Sequence, residues 1–240
     1  MKTIKSIALF LAATCAALST NAQTFTNLNF ESATPSTPIS GPLGPGVLYQ
    51  PVGLALPGWT AYLGAVQQTE VIQNSYGFGT AEVILFGPNY PAAGSGPGII
   101  DGDYSVLLQA GADPVSSALE SASISQTGVV PIGIQSLDFA AWTTSFTEFS
   151  VSFDGINLSP VALGSGPNST TIYGVNISSY DGQTGPLEFS ALFSGTGASW
   201  LGLDDISFST TVLSPEPNMV ALSGIGGLLL AARMWLARRK

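Results

Sequence analysis

The chain has 240 residues, with 15 acidic residues against 6 basic ones, no histidine and a single cysteine, for a formal net charge of −9. All the basic residues lie at the two ends (Lys2, Lys5, Arg233, Arg238, Arg239 and Lys240), so the stretch from Gln23 to Ser214 holds fourteen carboxyl groups and no cation. Such a stretch cannot form an internal salt bridge or grip a phosphate backbone, and it has no imidazole, thiol or amine to act as base or nucleophile. Nucleic-acid binding, Ser-His-Asp chemistry and histidine metal ligands are excluded; two-carboxylate chemistry, as glycoside hydrolases use, or no chemistry is left.

In chain order, Lys2 and Lys5 form a positive start, Ile7 to Leu18 an apolar run, and Thr20-Asn21-Ala22 a small-residue cleavage site. Residues 1–22 therefore read as a signal peptide, with the exported chain starting at or near Gln23. Cys15 raises a lipoprotein alternative, but Thr14 precedes it where a small Gly, Ala or Ser is wanted, and the apolar run continues past it. A cysteine inside an ordinary signal sequence is the simpler reading, and it leaves the exported part without a disulfide. A divalent cation is then the natural counter-ion for its acidic clusters.

From Ser32 to Pro57 six prolines alternate with glycines, which predicts an irregular loop or extended arm and no helix. A second Gly/Pro loop is expected from Gly87 to Gly98. Elsewhere short runs with period 2 predict strands: 81–86, 104–109, 121–127, 134–142, 149–153, 170–178, 186–193 and 199–209. In the sequence FSVSF-DG-INL, Asp154-Gly155 predicts a type I′ hairpin, which needs positive φ at both central residues. No ectodomain window of a dozen residues has a helical period. The expected fold class is all-β: one jelly-roll-like β-sandwich over residues 23–209, long enough to bury a core without disulfides.

Residues 210–218 read as a linker, and Met219 to Leu236 as a transmembrane helix interrupted only by Arg233. At ~1.5 Å per residue this run spans roughly 27 Å, a minimal crossing of a hydrocarbon core about 30 Å thick. Arg233 sits one turn from its end and can snorkel to the headgroups. Arg238, Arg239 and Lys240, in the tail 237–240, fix that end on the cytoplasmic side.

Pro215-Glu216-Pro217, the apolar run and the terminal Arg-Arg-Lys together resemble the PEP-CTERM sorting signal of Gram-negative bacteria. The resemblance implies recognition by a membrane-embedded exosortase, cleavage near the triplet, and passage of the ectodomain from the inner membrane to the cell surface or extracellular polymer. The two prolines also keep the segment extended, the form in which transpeptidases and proteases take a chain.

Three further groups of residues are candidates for a site. Glu31, in NLNFE at the expected first strand, pairs with Asp204-Asp205, in LDDIS at the expected last strand. With Trp59, these stretches resemble galactose-binding-like jelly rolls of the carbohydrate-binding-module type, in which the opening Glu and a closing Asp share a structural Ca²⁺. Clustered carboxylates without a nearby cation suit that ion independently. The alternative is that Asp204 and Asp205 occupy the two faces of an edge strand. Asp101-Gly102-Asp103 reads as a turn before a strand, since the rest of an EF-hand loop is missing. Tyr62, Tyr76 and Tyr90, near loops, are the candidates for stacking on sugar rings, while Trp142 and Trp200 read as core. Glu148 and Glu188 have no identifiable partner, and the Asn-X-Ser/Thr triplets at Asn157, Asn168 and Asn176 read as chance matches.

The sequence thus points to an exported, non-catalytic surface or matrix protein, structural or carbohydrate-binding, partnered by an exosortase and by exopolysaccharide. The competing reading is a secreted carbohydrate-active enzyme using two carboxylates.

Overall fold

A computed structural model describes residues 23–40, 47–77, 79–94, 96–113, 116–144, 147–193 and 198–213. The signal segment 1–22, the Pro-Glu-Pro linker from Ser214 and the apolar run 219–236 lie outside them. Among the described residues no helix is long and apolar enough to cross a membrane.

The chain folds as β-strands, in order β1 (Ile39–Ser40), β2 (Leu48–Pro51), β3 (Thr60–Leu63), β4 (Val66–Gln68), β5 (Glu70–Gln73), β6 (Glu82–Phe86), β7 (Ser105–Gln109), β8 (Gly111–Ala112), β9 (Leu119–Glu120), β10 (Ala122–Val129), β11 (Ser136–Thr143), β12 (Glu148–Phe153), β13 (Ile156–Leu158), β14 (Val161–Ser165), β15 (Thr171–Asn176), β16 (Thr184–Leu192) and β17 (Trp200–Ser209). Nine of them form one sheet, ordered β1-β2-β5-β6-β7-β17-β11-β15-β14, and six form a second, ordered β13-β12-β16-β10-β3-β4. A small β8-β9 ribbon stands apart. The two larger sheets pack as a sandwich, and every pair in them is antiparallel except β5 with β6.

Alternation along each strand decides what enters the core. Leu187, Phe189 and Ala191 of β16 are buried, and so are Val151 and Phe153 of β12 across from them. Rings carry the contact from sheet to sheet. Phe139 of β11 meets Phe189 edge-on at 5.2 Å, Phe189 meets Trp59 at 6.3 Å, and Trp59 meets Phe30 at 5.8 Å. The Asp154-Gly155 hairpin forms as expected, with φ of 49° and 75°.

Two expectations are corrected. Of the Pro-rich arm, β1 and β2 are extended, as one of the expected alternatives has it, but the expected absence of helix is overturned by the one-turn helix α1 (Val52–Ala55). Pro51 is the N-cap of this turn and the last residue of β2, with extended dihedrals of φ −54° and ψ 134°. NLNFE is a turn and not the first strand. Asn27 and Phe30 both take positive φ, which β-strand geometry forbids. The Asn27 side chain holds the turn, its amide donating to Pro57 O at 3.1 Å and its Oδ1 accepting from Ser32 N at 2.8 Å. The strained backbone drives Phe30 into the core as a fully buried plug.

The edge-strand alternative for Asp204-Asp205 also fails, because β17 lies between β7 and β11 in the middle of the large sheet. Its register against β11 shifts between Asp138 and Ala140, opposite these two aspartates, and Asp205 has φ 49°. This β-bulge resets the alternation by one residue. Leu201 and Leu203 before it, and Ile206 after it, consequently all face the core.

Removing the plug should be costly. Phe30→Ala is expected to lower stability by about 3–5 kcal/mol, as for other buried aromatics. A urea unfolding curve checks this through its midpoint, and an unchanged midpoint would show that the turn seats without its ring.

Candidate functional site

The bulge and the turns beside it bring together the acidic residues that the sequence holds in three places. The N-terminal turn lies along the last strand, with Ile206 N donating to Leu28 O at 3.0 Å. This puts Glu31 next to the Asp101-Gly102-Asp103 turn, where its Oε1 accepts the backbone N–H of Asp103 at 2.9 Å and of Tyr104 at 3.0 Å. Gly102 has φ +58°, and a Cβ there would crowd that same oxygen. The glycine is required both by the turn and by the approach of the carboxylate. Asp101-Gly102-Asp103 is thus a turn, as expected, but one built onto Glu31.

Asp204 lies beneath, 1 % exposed. Its Oδ2 accepts from the Ser105 hydroxyl at 2.6 Å and from Asp101 N at 3.2 Å, and its Oδ1 from Asp205 N at 2.8 Å. Ser105 Oγ in turn accepts from Ile100 N at 2.8 Å. The carboxyl therefore ties β17 to β7 and to the loop before it. Burial outweighs these donors and pushes its pKa up to about 7. Asp205, half-buried, is also raised, first by burial and then by the negative charges of Asp101 and Glu31.

The fit to calcium is partial. Hard oxygen donors of like charge with no cation to relieve them suit the ion. Asp204, however, has both oxygens committed to protein donors, so the side chains left to coordinate are Glu31, Asp205 and, from the second acidic cluster, Asp101. Among the described residues no three acidic groups are gathered as ligands of one ion. An ion would have to draw this rim inward.

The candidate aromatics separate. Tyr62 lies on β3 in the six-stranded sheet. Tyr76 and Tyr90 come together on the outer face of the nine-stranded sheet, Tyr76 edge-on to Trp200 at 5.6 Å and Tyr90 stacked on Phe86 at 4.2 Å. Trp142 and Trp200 stack on each other at 6.1 Å on that same outer face, with Ala93 and Ile100 packed there. They are packing residues, but of a layer outside the main core. Glu148 is exposed, and Glu188 accepts from Ser190 Oγ at 2.9 Å. Pro215, Glu216, Pro217, Arg233, Arg238, Arg239 and Lys240 lie outside the described residues.

Sequence reasoning missed Ser105, the donor that keeps Asp204 in place. A serine at the head of an apolar strand carries no signal until its partner, 99 residues away, is known to face it.

Compared with known proteins, the chain matches no family profile, no curated protein and no solved structure.

The raised pKa of Asp204 has a definite sign. The folded state holds a proton that the unfolded chain, with an ordinary carboxyl near 3.8, has already released. That contribution to stability is complete below pH 3.8 and is lost as pH rises through about 7. Calcium-free protein is therefore expected to melt at progressively lower temperature between pH 4 and pH 8 in scanning calorimetry. Asp204→Asn should flatten this slope, and an equal slope in the variant would assign it to other groups.

Proposed function

We propose that the protein is an exported, non-catalytic component of the cell surface or extracellular matrix of a Gram-negative bacterium. In this reading an exosortase handles its C-terminal tail, and the β domain is structural or carbohydrate-binding in exopolysaccharide. The observation that carries the proposal is the division of charge. Every cation is confined to a signal-like start and to the tail Pro215-Glu216-Pro217, apolar run, Arg238-Arg239-Lys240. The tail first anchors the precursor in the inner membrane through 219–236 and then gives up the ectodomain at the triplet.

The sandwich supports a binding or scaffolding role, in keeping with a jelly-roll module of the galactose-binding kind, although that finer assignment rests on the short sequence resemblance alone. A domain without cations meets a glycan through hydrogen bonds and ring stacking, not through charge. Calcium is part of the proposal as a structural ion on Glu31 and Asp205, with Asp101 completing the rim. Its role is to relieve their mutual repulsion and to clamp the first turn to the last strand. The ion takes part in no reaction.

Two measurements test the reading. Replacing the triplet (Pro215→Ala, Glu216→Ala, Pro217→Ala) should leave the full-length precursor in the inner membrane on immunoblots of fractionated cells. Normal release of the variant would return the tail to a simple anchor. Chelation with EDTA should lower the melting temperature by several degrees, as expected when an ion that binds only the folded state is removed. An unchanged melting temperature would eliminate the structural ion. Glycan-array binding without turnover fits the proposal, whereas sugar release from a bound polymer would replace it with the two-carboxylate enzyme.

A further inference from the structure

The parallel pairing of β5 with β6 has a topological cost. A parallel neighbour requires the chain to travel back over one face of the sheet. Here residues 74–77 and 79–81 lie on that return across the outer face, which is pinned where Asn74 N donates to Leu85 O at 3.0 Å and Asn74 Oδ1 accepts from Gly87 N at 2.8 Å. Under this crossing runs a row of three side chains: Glu82 of β6 lies opposite Gln109 of β7, and Gln109 opposite Trp200 of β17.

Glu82 is 2 % exposed and Gln109 fully buried. One Glu82 oxygen accepts from Gly77 N at 2.9 Å and the other from the Thr80 hydroxyl. The Gln109 amide nitrogen donates to the carbonyls of Gly77 and Thr80, while its oxygen, Oε1, is buried with no protein partner. Beside this row is a cavity of about 210 Å³, walled by Val47, Ile72 and Tyr76 and floored by Ser75, Thr80 and Glu82. Burial raises the pKa of Glu82, and the domain contains no cation to neutralise it.

We propose that this cavity is a subsite for a single neutral pyranose ring of a glycan; the proposal rests on the carbohydrate-binding reading above. The chemistry selects such a ring in three ways. The hydroxyls of Ser75 and Thr80 and the carboxylate of Glu82 give the floor polar partners for ring hydroxyls. The aliphatic and aromatic walls suit the C–H face of a sugar, and Trp200 fixes the plane of the Tyr76 ring edge-on. The volume lies below the roughly 300 Å³ at which drug-sized sites begin, which limits the occupant to one small ring. A uronic acid is repelled by Glu82. A bare divalent ion would face carbon on three walls where it needs oxygen.

The test uses the full chain in a sugar-free zwitterionic detergent, titrated by calorimetry with D-glucose, D-galactose, D-mannose and N-acetyl-D-glucosamine. At least one sugar is expected to bind, and Glu82→Gln to weaken it tenfold or more without changing the melting temperature, since the amide oxygen still accepts from Gly77 N–H. Val47→Trp, which fills the cavity from its rim without touching the carboxyl, should give the same loss. The proposal is overturned if none of the four sugars binds, if both variants bind as the parent does, or if only calcium chloride or choline chloride gives heat that Glu82→Gln removes. Co-sedimentation with purified exopolysaccharide separates the two levels. Equal co-sedimentation of parent and Glu82→Gln would sink this subsite and leave carbohydrate binding standing. No co-sedimentation of either would remove the carbohydrate reading.

Discussion

Fourteen carboxyl groups share this domain with no lysine, arginine or histidine. An acidic group that folding takes from water must be repaid by N–H and O–H donors or give up its charge. The structure shows that exchange repeatedly. Glu31 takes two backbone N–H groups of the 101–103 turn, Glu82 that of Gly77, Asp181 that of Gly133, and Asp204 those of Asp101 and Asp205. Apart from the local bond from Asp205 N, each of these fastens a loop to a strand or to another loop, so the acids act as staples. In a chain with ordinary numbers of lysine and arginine, the same carboxylates would be free to pair with side chains and would hold the backbone less directly.

The second organising feature is that the middle of the large sheet, at β6 and β7, is buried on both faces. Antiparallel sheets commonly leave one face to water, but here Val83, Leu85, Val106 and Leu108 enter the main core while Ile84, Phe86 and Leu107 enter an outer apolar layer. The Gly/Pro segment after Gly87 and the crossing at 74–77 and 79–81 provide that cover. Tyr90 lies flat on Phe86, and Trp142 donates to Gly94 O at 3.3 Å. Prolines and glycines suit a strap of this kind, because it must follow the sheet closely without forming a ladder of its own. The cavity beside Glu82 is a gap in this second layer, and the acidic rim of Glu31, Asp101 and Asp205 stands where the strap turns back into β7.

Much of this was legible residue by residue. The runs AEVILF and YSVLLQ read as strands because they are short and rich in β-branched and leucine side chains. Their burial on both faces, in place of the expected alternation, is seen only in the structure. Asp154-Gly155 named its own turn. NLNFE, by contrast, looks extended, and only the capture of Asn27 by Pro57 O and of Phe30 by the core makes it a turn. LDDIS reads as a uniform strand, yet the pairing with β11 introduces a bulge that sends two adjacent aspartates into different surroundings, one buried and one on the rim. Local pattern carries no information about a register set by a partner strand some sixty residues away.

The sequence by itself determined the class of the fold, the absence of cationic and imidazole chemistry, and the charge-marked ends, because composition and period-2 patterning act locally and do not depend on neighbours. Only the tertiary structure decided which carboxylates meet. Glu31, Asp101, Asp204 and Asp205 converge because a turn, a strap and a bulge on three distant segments happen to share one end of β7 and β17. Glu82 and Gln109 become a pair only through the register of adjacent strands. The reason is physical: a side chain's proton affinity and reach are set by what surrounds it in space, and in a β-sandwich those neighbours come from across the chain.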